Sequence, residues 1–171
     1  MTLPRVLFPA EDIAARVESL AATLAVLPER PQIAVPILVG AFVFAADLMR
    51  ALAARSLHLE TELIWLRSYG EGRVGGALTV VAGPSARVKD KHVLLIDGIL
   101  DKGHTMRRAV RLVEEAGARS IRSAVAVDKR LDDAVMKADF ALYTGVKEFI
   151  VGYGADDAGG YRGLPYIGKL D

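Results

Sequence analysis

Ile13, Val17, Leu20 and Leu24 recur at helical spacing behind Glu11 and Asp12, whose charges suit a helix N-terminus. The pattern predicts a helix from about 11 to 27, broken by Leu27-Pro28-Glu29-Arg30-Pro31. Ile33 to Val39 is a short continuous apolar run ending at Gly40, and Ala41 to Arg55 returns to helical character. Leu57 to Leu66 reads as a strand. Gly70, Gly72, Gly75 and Gly76 then punctuate a polar span that predicts a flexible loop at about 68–77. A β-like run follows from Ala77 to Ala82. His92 to Ile96 has the pattern of a buried strand and leads through Asp97 to Thr105 into a helix. Met106, Val110, Val113 and Gly117 share one face of that helix, with Gly117 suited to its C-terminal end. Ser120 to Val127 is the next strand. Helices alternating with continuous, non-alternating apolar strands predict an α/β fold, a mainly parallel twisted sheet flanked by helices. No repeat or linker divides the chain, so residues 1–171 are expected to form a single domain.

Composition narrows the chemistry. The chain is 52 % hydrophobic and 6 % aromatic, which excludes a largely disordered chain and predicts a core of Ala, Val, Ile and Leu. Lys and Arg number 22 against 21 Asp and Glu, a net charge of +1. That leaves no bulk field for gripping duplex nucleic acid, but a small concentrated anion needs only local donors. The absence of Cys excludes disulfides, thiolate catalysis and thiolate metal sites. Met1 to Ile13 lacks the apolar centre of a signal peptide, and no apolar run reaches the roughly 18 residues of a membrane span. The expectation is a cytoplasmic domain with neither nucleic acid nor membrane as partner.

Ligands of open parallel sheets gather at the carboxyl ends of strands. The sharpest loop of that kind is Asp97-Gly98-Ile99-Leu100-Asp101-Lys102-Gly103-His104-Thr105. Gly103 permits a tight turn and close backbone approach, Thr105 offers a hydroxyl at the helix start, and Lys102 a cation. Backbone donors, helix dipole and hydroxyl together suit a phosphate monoester. The spacing is not that of a Walker loop. An ordinary β–α turn with an N-terminal cap also fits these residues taken alone.

Val93 to Thr105 resembles the phosphoribosyl-pyrophosphate motif of type I phosphoribosyltransferases: an apolar strand, two acids, two apolar residues, then Asp-Thr-Gly. Three further segments are similar to the hypoxanthine-guanine phosphoribosyltransferases among them. Ile37 to Leu48 resembles the first pyrophosphate loop and its helix, and Arg67-Ser68-Tyr69-Gly70 the opening of the flexible catalytic loop. Phe149 to Asp156, continuing to Tyr161 to Gly168, resembles the purine-binding hood. The resemblance implies a type I phosphoribosyltransferase fold with a small hood from about 147–171.

The implied reaction joins a 6-oxopurine, hypoxanthine or guanine, to phosphoribosyl pyrophosphate with Mg²⁺, releasing pyrophosphate, as in purine salvage. By the resemblance Asp101 exchanges a proton at purine N7, and Tyr69 belongs to the lid over the reacting centre. Lys129 donates to the 6-oxo group, Phe149 stacks on the base, and the Ile150 backbone reads its edge. Asp97 contacts ribose and metal, and Asp156 is a second metal carboxylate. Lys102, Gly103, His104 and Thr105 surround the 5′-phosphate, while Val39, Gly40 and Arg162 face pyrophosphate. A homodimer or homotetramer is implied as well.

Three positions depart from the family pattern. Gly98 stands where a second ribose acid is usual, Lys102 where Thr is usual, and Val39 where Lys is common. Losing one charge-assisted hydrogen bond to ribose weakens binding by roughly 1.5–3 kcal/mol. Gly98 therefore motivates an alternative, a protein on the same fold that senses a nucleotide or phosphoribosyl pyrophosphate without turnover. A xanthine-preferring transferase is another, because Lys129 and the hood fit any 6-oxopurine.

Overall fold

The computed structural model describes residues 3–68 and 78–170. In chain order the elements are β1 (Arg5–Phe8), α1 (Ala10–Ala25), β2 (Ile33–Leu38), α2 (Phe42–Ala53), β3 (Glu60–Thr61), β4 (Ile64–Ser68), β5 (Leu78–Ala82), β6 (His92–Leu100), α3 (His104–Glu115), β7 (Ser120–Asp128), β8 (Phe140–Thr144), β9 (Ile150–Val151) and β10 (Ile167–Lys169). The principal sheet runs β5-β4-β2-β6-β7-β8, with β3 also on β2; a separate sheet runs β1-β10-β9. Every pairing in the principal sheet is parallel except β4 with β5.

The period of two along each strand sorts the core into two layers. Ala34, Leu94, Ile96, Ala124 and Ala126 pack with Ile13, Val17 and Leu24 of α1 and Phe44, Leu48 and Leu52 of α2. Val35, Ile37, Val93, Leu95 and Val125 face the other way, against Met106, Ala109 and Val113 of α3. Both faces being covered explains why these strands carry no polar alternation.

Four features differ from the sequence reading. The run from 57 to 66 is two short strands, both on β2: Glu60 pairs with Ile33, and Ile64 with Ile37. Strand β6 continues past Ile96 to Leu100, because β7 pairs with it as far as Leu100 opposite Asp128. Asp97 and Gly98 are therefore strand residues, and the loop proper is Asp101 to Gly103. Strand β8 had no sequence assignment. Strand β1 had none either; it pairs antiparallel with β10 and closes the C-terminal sheet with the N-terminal residues.

Candidate active site

A cleft of about 230 Å³ opens at the carboxyl end of β6. Gly40, Asp97, Gly98, Ile99, Asp101 and Lys129 border it from the principal sheet; Phe149, Ile150, Ala155, Asp156 and Arg162 border it from the C-terminal segment. Eight of the residues expected at the site thus share one cleft: Gly40, Asp97, Asp101, Lys129, Phe149, Ile150, Asp156 and Arg162. Val39 is next to Gly40 and exposed. Lys102, Gly103, His104 and Thr105 form the adjoining turn and the start of α3 rather than the cleft lining. Tyr69 and the glycines from Gly70 to Gly76 lie outside the described residues.

The strand end presents its acids differently. Asp97 is half-buried, and its Oδ1 accepts a hydrogen bond from the Gly98 N–H at 2.7 Å. Burial raises its pKa to about 7, since the charged form loses water, against the opposing pull of the Gly98 N–H. Asp101, four residues on, is exposed at the rim. Gly103 then takes φ 84°, a conformation open to glycine, and α3 begins without a side-chain cap. Its bare Cα is also needed for packing, as a Cβ there would stand 2.9 Å from Met136 Cγ. Lys102 Nζ lies 2.9 Å from Asp133 Oδ2, which raises the lysine pKa above its ordinary value. His104 Nδ1 faces Arg107 Nη2 at 3.3 Å.

Lys129 is set by a residue that sequence reasoning did not single out. Asp128 is fully buried; its Oδ1 accepts from Arg130 N at 2.9 Å and its Oδ2 from Ala138 N at 3.0 Å. The same carboxylate meets Arg130 Nε at 3.0 Å, and Lys129 N donates to the Leu100 carbonyl at 2.9 Å. The turn therefore hangs Lys129 beside the end of β6. An acid at the end of an apolar run, followed directly by Lys and Arg, was the available signal, but the run reads equally as a solvated charged turn.

On the opposite wall Arg162 holds the C-terminal segment together. Its Nη1 donates to the Gly154 carbonyl at 2.7 Å, and its Nη2 meets Asp156 Oδ1 at 2.7 Å. Asp156 Oδ2 also accepts from Gly159 N at 2.7 Å. Ile150 is buried, while Phe149 keeps 37 % of its surface exposed at the mouth of the cleft.

Among the described residues no three Asp, Glu or His side chains converge as a closed metal cage. The donors present nevertheless fit Mg²⁺, which takes one or two carboxylates and fills its remaining positions with substrate oxygens and water. Asp97 fits that description: a carboxylate in the cleft whose Oδ1 accepts from a backbone N–H.

A mainly parallel sheet with its cleft at the strand ends, walled by a second small sheet, defines an α/β protein that binds ligands at strand carboxyl termini. The chain belongs to the phosphoribosyl transferase domain family, whose model matches residues 7–158. The hypoxanthine-guanine phosphoribosyltransferase of Bacillus subtilis is 33 % identical, over 98 % of this chain and 93 % of that protein. The bifunctional protein TilS/HprT of Listeria innocua is 32 % identical over 98 % of this chain, which spans about a quarter (26 %) of that protein's length. The crystal structure of a hypoxanthine phosphoribosyltransferase from Staphylococcus aureus superposes with a TM-score of 0.86 at 30 % identity, covering 98 % of this chain and 91 % of that one.

Proposed function

We propose that this chain is a purine phosphoribosyltransferase that joins hypoxanthine or guanine to phosphoribosyl pyrophosphate, giving the nucleoside 5′-monophosphate and pyrophosphate. The observation that carries the reading is one cleft bordered by Asp97, Asp101, Lys129 and Phe149 at the end of β6. The relatives named above support the substrate class.

In this reading Phe149 stacks on the purine and Lys129 donates a hydrogen bond to its 6-oxo oxygen. An ammonium has donors only, so it favours a 6-oxo group over the amino group of adenine. Purine N9 forms the bond to ribose C1′ as the C1′–pyrophosphate bond breaks, and positive charge develops on the ribose. Asp101 accepts the proton that the reacting base gives up at N7. The first turn of α3 from Gly103 to Thr105 receives the 5′-phosphate through backbone N–H groups. The loop at Val39 and Gly40 receives pyrophosphate, and Arg162 closes that side. The resemblance of Arg67-Ser68-Tyr69-Gly70 to the family's catalytic loop assigns Tyr69 to keeping water from the reacting centre. Asp97 and Asp156 would hold Mg²⁺, which, when bound, supplies Lewis-acid neutralisation of the leaving group.

Purine salvage in the cytoplasm and assembly as a homodimer or homotetramer belong to the same proposal. No helix among the described residues is long and apolar enough to cross a membrane. Light scattering reads the assembly directly. Pyrophosphate release that requires hypoxanthine and Mg²⁺ together tests the activity; release independent of any base would refute it.

A further inference from the structure

The C-terminal wall of the cleft is fastened to helix α2 by a hydrogen bond across 106 residues of sequence. Tyr153 Oη donates to Asp47 Oδ2 at 2.8 Å. Tyr153 is 5 % exposed and its ring is tilted against Phe44 of α2, with centroids 6.4 Å apart. Its φ of 51° lies in the left-handed region, which non-glycine residues adopt only when the surroundings hold them there. Burial and the neighbouring Asp47 carboxylate push the phenol pKa well above its usual value, so the hydroxyl remains a donor. Next to it, Gly154 has its Cα so close to the Gly40 carbonyl oxygen that any Cβ would overlap it. The turn Gly152–Gly154 is thus seated at two points on one segment, the loop at Gly40 and the helix that follows it.

Those two points link the parts of the cleft assigned to the two ligands. Gly40, assigned above to pyrophosphate, and Ile150 and Phe149, a few residues before Tyr153 and assigned to the base, all border it. We propose that Asp47 and Tyr153 are a positioning pair whose hydrogen bond holds the base-binding wall and the pyrophosphate loop in register. The inference rests on the function proposed above. Neither side chain borders the cleft, so the pair acts through Gly40 and the hood turn. Transfer between two separately held ligands depends steeply on their alignment: a misplacement of about 1 Å costs on the order of 100-fold in rate.

The test is steady-state kinetics with hypoxanthine on four variants, Tyr153→Phe, Asp47→Ala, Asp47→Asn and the double variant Tyr153→Phe/Asp47→Ala, each with its melting curve. Tyr153→Phe removes one oxygen and keeps the ring against Phe44, so its effect is read in a folded protein. The expected result is a fall in kcat of ~10-fold or more for Tyr153→Phe and Asp47→Ala, larger than any rise in KM. The double variant is expected to be no worse than the poorer single one, because Asp47→Ala already removes the Tyr153 bond, along with the exposed ion pair to Arg50. Asp47→Asn keeps an acceptor for the Tyr153 hydroxyl and is expected to recover most of the activity. Lowered melting temperatures with kcat and KM unchanged would overturn the pairing and leave the pair purely structural. Additive losses in the double variant would overturn it too. A wild-type protein inactive with every purine would instead refute the function reading, and the pairing with it.

Discussion

Gly98 lies against the backbone of Gly40: a Cβ on Gly98 would stand 2.7 Å from the Gly40 carbonyl oxygen and 3.2 Å from its carbon. The departure from the family's paired acids therefore has a local consequence. With no side chain at 98, the loop after β2 rests directly on β6, and Asp97 is left as the carboxylate beside it.

This contact gives the first prediction. Gly98→Asp adds the carboxylate usual in the family, yet it is expected to weaken the enzyme, because the loop at Gly40 must shift. Gly98→Ala, which adds only the methyl, is expected to destabilise by about 1–3 kcal/mol through the same overlap. Melting curves and KM for phosphoribosyl pyrophosphate check both. An improved KM in Gly98→Asp with unchanged stability would show that the contact does not constrain the loop.

Asp101→Asn separates catalysis from binding. The exposed rim position makes its fold contribution small, so stability should stay within about 0.5 kcal/mol. Loss of the proton acceptor is expected to lower kcat by roughly 10²- to 10⁴-fold. Calorimetric affinity for the nucleoside monophosphate should change by a few-fold at most. Retained turnover would move the proton transfer to another group.

The raised pKa of Asp97 sets a pH dependence with a definite sign. The folded protein holds the proton up to about pH 7, whereas the ordinary value is 3.8. Between those values the unfolded chain binds fewer protons, so stability falls as pH rises from about 4 towards 7 and then levels off. Substrate use runs the other way, because only the carboxylate attracts a cation or accepts from ribose hydroxyls. KM for phosphoribosyl pyrophosphate should fall as pH rises towards 7 and then flatten, with the midpoint moving lower at high Mg²⁺. Asp97→Asn should abolish both trends, and a profile unaltered in that variant would assign the titration elsewhere.

Asp128→Ala tests what holds Lys129 in place. Arg130 is partly exposed and can turn to water, so the main loss is the buried Ala138 N–H left without its acceptor. The expected destabilisation is about 1–3 kcal/mol, with a weaker preference for 6-oxopurines over adenine as Lys129 loses its seat. Base selectivity equal to that of the wild type would separate Asp128 from base recognition.

The alternation of apolar runs made the parallel sheet and its three helices legible, because both sheet faces are covered and the strands need no polar face. Asp101, Lys129 and Phe149 were legible only through likeness to a family; read alone, each has an ordinary structural use. What the chain pattern hid were relationships across long sequence distances. Strand β1 completes the sheet of β9 and β10 from the other end of the chain, and nothing local to Arg5–Phe8 announces that partner. Tyr153 and Asp47 are similarly remote, and a tyrosine between two glycines carries no mark of the aspartate it meets. Gly98 reads as a missing acid until the Gly40 carbonyl is seen beside it.

Product formation from phosphoribosyl pyrophosphate and Mg²⁺, measured in parallel with hypoxanthine, guanine, xanthine and adenine, tests the proposed activity most directly. Turnover with hypoxanthine or guanine and none with adenine is the expected result. No product from any of the four bases, with binding of phosphoribosyl pyrophosphate or nucleotide still detectable, would contradict it and leave a ligand-sensing protein on a transferase fold.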